Sequence, residues 1–283
     1  MIKYLRCSEV DINKVFEAFS IGFSDYIIKI QMPKEQFLER FFGPEGNSLE
    51  TSFIALDEER AIGLILGGIK NYEGIKTMRC GTMAIDPEYR GKGVSRKLMK
   101  LHREEAAAQN CKQLFLEVIV GNDRAINLYK KLGYEKFYDL FYFSLDTTKE
   151  LKENVTNEIH FKEITMEELK AFAATNMDTH INWQNDMECI EKLKEQKHYG
   201  AFTNNELTGA VSANKNGKIN FLYVNKENRG NHIGTELISK AVKELGLERL
   251  SLGFPNNSAL IGFLKHTGFK RDNISQYEMY ITL

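Results

Sequence analysis

The sequence repeats one order of predicted elements in its two halves. In each half a short strand and an amphipathic helix come first, then a run of strands, a glycine-containing loop, a longer helix and a final strand–helix–strand unit. The two loops, residues 90–95 and 229–234, occupy the same place in each half. A repeat constrains the fold strongly, because both copies must follow one plan. We predict two tandem domains, residues 1–148 and 156–283, with a boundary in the polar stretch 146–157.

Each half is expected to close its own sheet. A strand pair around residues 137–145 ends the N-terminal half, and a strand at 277–282 ends the C-terminal half.

Charge and hydropathy exclude several partners. The 283 residues include 38 Lys and Arg against 39 Asp and Glu, giving a net charge of −1. This balance provides no broad basic face, so we expect neither nucleic acid nor a membrane as partner. The longest apolar run, residues 61–69, holds three glycines and is too short to span a bilayer.

The cysteines and the first residues indicate the compartment. The four cysteines are scattered, without a CxxC pair or an adjacent His cluster. We therefore expect no disulfide framework, no structural zinc and no other metal site. The first residues run directly into charged side chains and lack the apolar segment of a signal peptide. Together these features favour the cytoplasm.

The segment that follows the apolar strand ending at Ile85 carries the strongest chemical signal. Gly91 and Gly93 let the backbone turn sharply and bring several N–H groups toward one point, at the start of a helix. Such a turn is suited to a pyrophosphate, and basic side chains surround it. These side chains belong to Arg90, Lys92, Arg96 and Lys97. The plainer interpretation is a glycine turn followed by a solvated basic helical turn.

Arg90-x-x-Gly93-x-Ser95 resembles the R/Q-x-x-G-x-G/A loop of the GNAT acetyltransferase superfamily, with Ser in the last position. The resemblance implies an α/β fold of the α+β mixed-sheet type, in which each domain has a mostly antiparallel central sheet flanked by helices. It also implies acetyl-CoA as co-substrate, without a metal. The residues implied to bind it are Met83, Ile85, Arg90, Gly91, Lys92, Gly93, Val94, Ser95 and Asn122.

Two side chains are candidates for acid–base chemistry. Glu117 is the single charge in an apolar strand, so it must be salt-bridged, point into a polar cleft or be partly protonated. The plainest interpretation is an ion pair at the strand end or a glutamate that reaches solvent. Tyr129 lies on an amphipathic helix, where a tyrosine is most often a packing residue.

The spacing Asn122-x-x-Ala125-x-x-x-Tyr129-x-x-x-Gly133-Tyr134 resembles the second GNAT signature. The Glu–Asn–Tyr spacing also resembles bacterial acetyltransferases that modify ribosomal-protein N-termini. The resemblance implies that Glu117 removes a proton from an amine, directly or through water, and that Tyr129 protonates the departing thiolate. The implied function is an N-acetyltransferase acting on a primary amine, with its chemistry in the N-terminal domain.

The second loop departs from this pattern. His232 stands where the family loop has its central glycine, and its imidazole would crowd a pyrophosphate. Counting back from Gly268, Leu264 replaces the tyrosine and Leu252 replaces the glutamate. We expect a degenerate GNAT-like domain that keeps the scaffold.

Two other functions stay open. One is a non-catalytic acetyl-CoA-binding or regulatory protein, and the other is an aminoacyl or peptidyl transferase on the same fold. The acceptor, a small molecule or a peptide, also stays open, with Asp25 and Tyr26 as candidate contacts for its ammonium group. Whether the C-terminal domain binds a ligand, and whether the chain forms a homodimer, are not decided by the sequence.

Overall fold

The computed structural model describes residues 1–151 and 159–283. The chain forms two compact units. Unit 1 comprises Met1–Tyr138 together with Gln276–Leu283, and unit 2 comprises Asp139–Ser275. Residues 152–158 of the predicted boundary, and with them the predicted start of the second domain, lie outside the described residues.

The helices and strands alternate in the predicted order. In chain order they are β1 (Ile2–Arg6), α1 (Ile12–Gly22), α2 (Lys34–Phe42), β2 (Asn47–Asp57), β3 (Arg60–Tyr72), β4 (Ile75–Ile85), α3 (Val94–Ala108), β5 (Gln113–Ile119), α4 (Asp123–Lys131), β6 (Glu135–Leu145), β7 (Ile159–Glu163), α5 (Met166–Asn176), α6 (Met187–Lys192), β8 (Gln196–Thr203), β9 (Glu206–Asn214), β10 (Lys218–Val224), α7 (Ile233–Leu245), β11 (Leu250–Pro255), α8 (Ser258–His266) and β12 (Lys270–Thr282).

The sheet of unit 1 has the strand order β1-β2-β3-β4-β5-β12. Its pairs are antiparallel except for β4 and β5, which are parallel. The parallel pairing is short: it runs from Thr77 opposite Gln113 to Cys80 opposite Leu116. Both strands continue beyond this stretch, so they diverge and leave an opening between their carboxyl ends.

The sheet of unit 2 repeats this arrangement, in the order β6-β11-β10-β9-β8-β7. Its parallel pair, β10 and β11, is again short, with Lys218 opposite Ser251 and Ile219 opposite Leu252. The predicted fold class and the predicted repeat are therefore both confirmed.

One expectation is wrong. Residues 140–145 of β6 pair with β11 of unit 2, whereas residues 276–282 of β12 pair with β5 of unit 1. Each sheet is thus completed by the strand that the sequence assigned to the other half. The sequence of a segment such as β6 or β12 can identify it as a strand, but it contains no information about which sheet edge that strand joins.

Apolar side chains cover both faces of the unit 1 sheet. On one face, α3 and α4 pack Leu98 and Tyr129 against the strands, and on the other, α1 and α2 contribute Phe19 and Phe37. The rings of Phe19 and Phe37 lie 4.6 Å apart, and each is almost fully buried. Burying a side chain of this size contributes about 1.5–3 kcal/mol, so these contacts hold the sheet and helices in place around the opening.

Candidate functional site

The opening in unit 1 lies on one side of β4. On its other side, β4 stays paired with β3 as far as Ile85 opposite Gly63. The diverging part, which includes Met83 and Ile85, therefore directs backbone polar groups toward the opening, as a sheet edge does. The register also shows that Gly81 is a bulge, because Cys80 and Thr82 lie opposite consecutive residues of β3. A Cβ on Gly81 would come within 2.1 Å of the side-chain oxygen of Asn47, so this bulge depends on glycine.

The glycine loop lies directly after this edge. Gly91 and Gly93 have φ angles of +78° and +87°, in the left-handed region, and open space faces both Cα atoms. Gly93 is the N-cap of α3 and offers no side-chain acceptor. Because the first turn of a helix has N–H groups without intrahelical acceptors, α3 presents them at the loop surface. This geometry suits an anion. Val94 is buried, whereas Lys92 is exposed beside the loop.

Arg90 contacts protein groups on the inner side of the loop. Its Nε donates to the carbonyl oxygen of Ile85 at 3.1 Å, and Nη2 donates to that of Gly22 at 3.1 Å. Its guanidinium also pairs with the Asp25 carboxylate, at 2.6 Å between Nη2 and Oδ1. Hydrogen bonding to Arg90 lowers the pKa of Asp25. Arg90 thus ties the loop to the end of α1, a role that the sequence did not reveal.

Asn122 is the N-cap of α4, Tyr26 lies beside it, and Tyr129 lies further along the same helix. The side-chain oxygen of Asn122 accepts from the N–H of Ala125 at 3.3 Å, which caps the helix. The phenol of Tyr26 hydrogen-bonds to Asn122, and burial raises the pKa of Tyr26. Burial also holds the pKa of Tyr129 well above its usual value, with Cys80 and Tyr26 among the groups that interact with it. Tyr129 therefore keeps its proton at neutral pH, as a general acid must.

Glu117 forms a buried ion pair with Arg79. Arg79 Nη2 and Nε lie 2.7 Å and 3.1 Å from Oε2 of Glu117, and the two side chains are only 4% and 3% exposed. Of the three environments that the sequence allowed, the structure therefore shows the salt bridge. Arg79 also lies 3.4 Å from Glu45, which in turn pairs with Arg40 at 2.8 Å. Arg79 and Glu45 were missed, although a lone arginine in an apolar strand was a usable signal.

Glu117 and Tyr129 lie on opposite faces of the sheet. Leu116 and Val118 belong to the core that contains Tyr129. Because successive side chains of a strand point to opposite faces, Glu117 points the other way. A group held in the opening would therefore have a phenol on one side and a carboxylate on the other.

The loop of unit 2 has the same backbone with different side chains. Gly230 and His232 have φ angles of +86° and +60°, and His232 is the N-cap of α7. Arg229 Nε donates to the carbonyl oxygen of Val224 at 2.9 Å, as Arg90 does to that of Ile85. The bulge of β10 holds Asn220, which takes the place of Gly81. The fold of the loop is preserved, and an imidazole stands where unit 1 has a hydrogen atom.

The register corrects which residue replaces Glu117. Leu252 lies opposite Ile219 as Leu116 lies opposite Cys80, so the counterpart of Glu117 is Gly253 and not Leu252. Counting gave the wrong residue because the segment leading to α8 is one residue shorter than that leading to α4.

Side chains occupy the corresponding opening of unit 2. A Cβ on Gly253 would lie 2.6 Å from the Tyr142 ring. Nδ2 of Asn185 donates to the carbonyl oxygen of Gly253 at 2.7 Å, and Oδ1 of Asn185 accepts from Asn220 at 2.9 Å. Asn185 thus bridges the two diverging strands, β10 and β11. Trp183, a neighbour of Asn185 in the chain, is fully buried.

Among residues 1–151 and 159–283, no three His, Cys, Asp or Glu side chains are grouped so as to hold a metal ion. No helix in the same ranges is both long and apolar enough to cross a membrane.

The glycine loop at a helix start, beside a parallel strand pair that diverges, defines a class of α/β transferases. The model of the acetyltransferase (GNAT) family matches this chain twice, at residues 15–134 and 160–269. The chain belongs to the GNAT family and is an acyltransferase with two tandem repeats. This confirms the family and the enzyme class indicated by the two signatures. Members of the family use acetyl-CoA.

Known proteins resemble the chain in part or over its whole length. N-alpha-acetyltransferase 30 of Schizosaccharomyces pombe is 30% identical over 118 residues, which cover 41% of this chain and 77% of that protein. Thialysine N-epsilon-acetyltransferase of Bos taurus is 47% identical over 49 residues, covering 17% and 29%. A solved tandem GNAT protein from the clavulanic acid biosynthesis pathway has a TM-score of 0.73 at 14% identity, covering 100% of this chain and 98% of its own. The last likeness shows the fold.

Proposed function

We propose that unit 1 transfers an acetyl group from acetyl-CoA to a primary amine. The observation that carries this proposal is the arrangement around the opening. The open helix start at Gly93 lies at one end of β4, and Tyr129 and Glu117 lie on the two faces of the sheet beside it.

The binding steps use backbone groups. N–H groups of residues 91–95 hold the diphosphate of the coenzyme, and Lys92 adds positive charge. The edge of β4 at Met83 and Ile85 holds the pantetheine arm, with Asn122 on the other side. N–H donors of the same edge stabilise the oxyanion that develops on the acetyl carbonyl.

Two side chains move protons. Glu117 takes a proton from the incoming ammonium group, directly or through a water molecule. The neutral amine then attacks the acetyl carbon, the C–S bond breaks, and Tyr129 gives its proton to the departing thiolate. The nitrogen loses its second proton as the amide forms, and this proton restores Tyr129 through solvent. The products are an amide and the free thiol of CoA, and the proton held by Glu117 passes to bulk solvent.

The relatives support an acceptor class. N-alpha-acetyltransferase 30 and thialysine N-epsilon-acetyltransferase are named for transfer to an α-amine and to an ε-amine. Both acceptors are primary amines, and we extend this class to the present chain, including peptide N-termini and small-molecule amines.

A thiol-release assay tests the proposal. The full chain is incubated with acetyl-CoA and a panel containing a short peptide with a free N-terminus, lysine, a polyamine and an amino sugar. We expect thiol release with at least one amine and none with the N-acetylated form of the same compound. Absence of release throughout the panel would reject the proposal.

A second candidate function is binding of acetyl-CoA without turnover. The pairing of Glu117 with Arg79 favours it, because the candidate base is engaged by a guanidinium. The same assay separates the two functions, since a protein that only binds acetyl-CoA is stabilised against thermal unfolding by the coenzyme but releases no thiol.

A further inference from the structure

We propose that Arg79 is a positioning residue that fixes the carboxylate of Glu117 at the mouth of the β4–β5 opening. This inference rests on the proposed function of unit 1, because it concerns the residue proposed as general base.

Arg79 and Glu117 lie on either side of the point where the parallel pairing of β4 and β5 ends. Parallel pairing ends at Cys80 opposite Leu116. Arg79 therefore belongs to the paired part of the sheet, whereas Glu117 is the first residue of β5 beyond it. A side chain rooted in the paired part holds the first side chain of the diverging part.

The contact between Arg79 and Glu117 has a defined geometry. Two N–H groups of Arg79, on Nε and Nη2, point at the same oxygen of Glu117, at 3.1 Å and 2.7 Å. A planar guanidinium that makes two contacts with one oxygen fixes direction as well as distance. A lysine would keep the charge and lose the second contact.

A second ion pair, with Glu45, holds Arg79 in place. Its Nη1 lies 3.4 Å from Oε2 of Glu45, and Oε1 of Glu45 accepts from Nε of Arg40 at 2.8 Å. Arg40 is on α2 and largely exposed. Positive and negative groups thus alternate from the helix surface to the proposed base, and each fixes the next.

The repeat in unit 2 lacks both members of this buried ion pair. Buried ion pairs are costly to desolvate and are weak evidence for stability, so their retention needs another reason. In unit 2 the counterpart of Glu117 is Gly253, and the counterpart of Arg79 is the exposed Lys218. Where the carboxylate is absent, the buried arginine is absent too, although the sheet is the same.

The test compares two acceptors with one skeleton: a short peptide with a free N-terminal amine, and its aminooxy analogue, which is neutral at pH 7 and needs no prior deprotonation. The variants are Arg79→Lys and Glu117→Gln. A matched control is Arg6→Lys, because Arg6 pairs with the buried carboxylate of Glu105 at 2.6 Å on another part of unit 1.

We expect Arg79→Lys to lower kcat for the amine roughly 10–100-fold, since a small displacement of a catalytic group has effects of this size. The loss for the aminooxy peptide should be several times smaller, the KM for acetyl-CoA should stay within about twofold, and Arg6→Lys should match the parent. Glu117→Gln should show the same discrimination between acceptors, only larger.

An equal loss for both acceptors, or no loss, would overturn the role of Arg79 while leaving the proposed function in place. If Arg79→Lys does not fold, Glu45→Gln loosens the same guanidinium and must show the same discrimination in weaker form. If the parent transfers acetyl groups but Glu117→Gln does not discriminate, the proposed base is wrong, and no transfer by the parent would reject the function and this inference together.

Discussion

The two glycine loops have one backbone and different surfaces. Each has two left-handed residues, an arginine whose Nε contacts the carbonyl at the end of the preceding strand, and a helix that starts at once. They differ at the second left-handed residue, which is Gly93 in unit 1 and His232 in unit 2. The shape of the loop is thus maintained by the fold, whereas its capacity for an anion depends on what stands at one Cα.

The strand openings differ in the same way. In both units a short parallel pair diverges. Unit 1 places Glu117 and Arg79 there, whereas unit 2 has Gly253 next to a tyrosine ring and Asn185 across the gap. One scaffold therefore carries a buried ion pair beside the opening in one copy and a bridging asparagine in the other.

The largest effect is expected at the proposed acid. Tyr129→Phe should lower kcat roughly 10²–10⁴-fold, because general acid catalysis contributes about that much, and should leave acetyl-CoA binding unchanged. Steady-state thiol release measures it. Tyr134→Phe is the matched control, since its ring lies 5.8 Å from that of Tyr129 and is equally buried. Equal losses in both variants would place Tyr129 in the core and not in the chemistry.

Exchanging Gly93 for histidine should strongly weaken the binding of acetyl-CoA that we propose for unit 1. Gly93→His puts into the first loop the side chain that the second already carries. If two charged hydrogen bonds to the diphosphate are lost, the Kd for acetyl-CoA rises by roughly 100-fold or more. Calorimetry with CoA measures it. The reciprocal His232→Gly should leave the Kd and stoichiometry of the parent unchanged, and a parental Kd in Gly93→His would move the coenzyme site elsewhere.

Acid should destabilise unit 1 more than unit 2. His102 of α3 is fully buried, neither ring nitrogen has a hydrogen-bond partner among the described residues, and burial lowers its pKa to about 4. The unfolded chain has a pKa near 6.5 there, so between these values the unfolded state binds more protons. Stability is then lost as the pH falls from about 6.5 toward 4, by about 2 kcal/mol at pH 5. Ala241 occupies the corresponding position of α7. Burial also lowers the pKa of His198 in unit 2, but this side chain is only partly buried and keeps Ser212 as a hydrogen-bond partner, so its effect should be smaller.

Urea unfolding at pH 7 and pH 5 measures this difference. Trp183, the one tryptophan, lies in unit 2, so its fluorescence follows that unit. The binding of acetyl-CoA, which we propose for unit 1, follows the other unit. The unit 1 transition should shift with pH, and His102→Leu should reduce the shift. If the fluorescence transition of unit 2 shifts between pH 7 and pH 5 as far as the unit 1 transition does, acid does not act mainly on unit 1.

The smallest effect concerns the bridge in unit 2. Asn185→Ala leaves the Gly253 carbonyl and the Asn220 amide without this partner, which should lower the free energy of unfolding of unit 2 by about 1–3 kcal/mol. Trp183 fluorescence in urea reports it, with the exposed Asn231→Ala as control. Acetyl transfer by unit 1 should be unaffected. An unchanged midpoint would mean that Asn185 does not hold β10 and β11.

What the sequence predicted was local. The turn of the glycine loop at a helix start and the repeated order of elements each depend on residues that are near one another in the chain, and both were predicted correctly. The Arg79–Glu117 pair joins residues 38 positions apart, and the Asn185–Gly253 bond joins residues 68 apart. Such pairs depend on strand register, which a single sequence does not specify. Gly253 was missed for the same reason.

Because β12 completes the sheet of unit 1, this unit cannot finish folding when its N-terminal residues have been synthesised. A ribosome must translate residues 139–275 before Gln276–Leu283 can reach β5, and until then that strand has an unpaired edge that is prone to wrong associations. The nascent N-terminal half is expected to stay incomplete during this time, and a product that lacks residues 276–283 would have no finished sheet in unit 1.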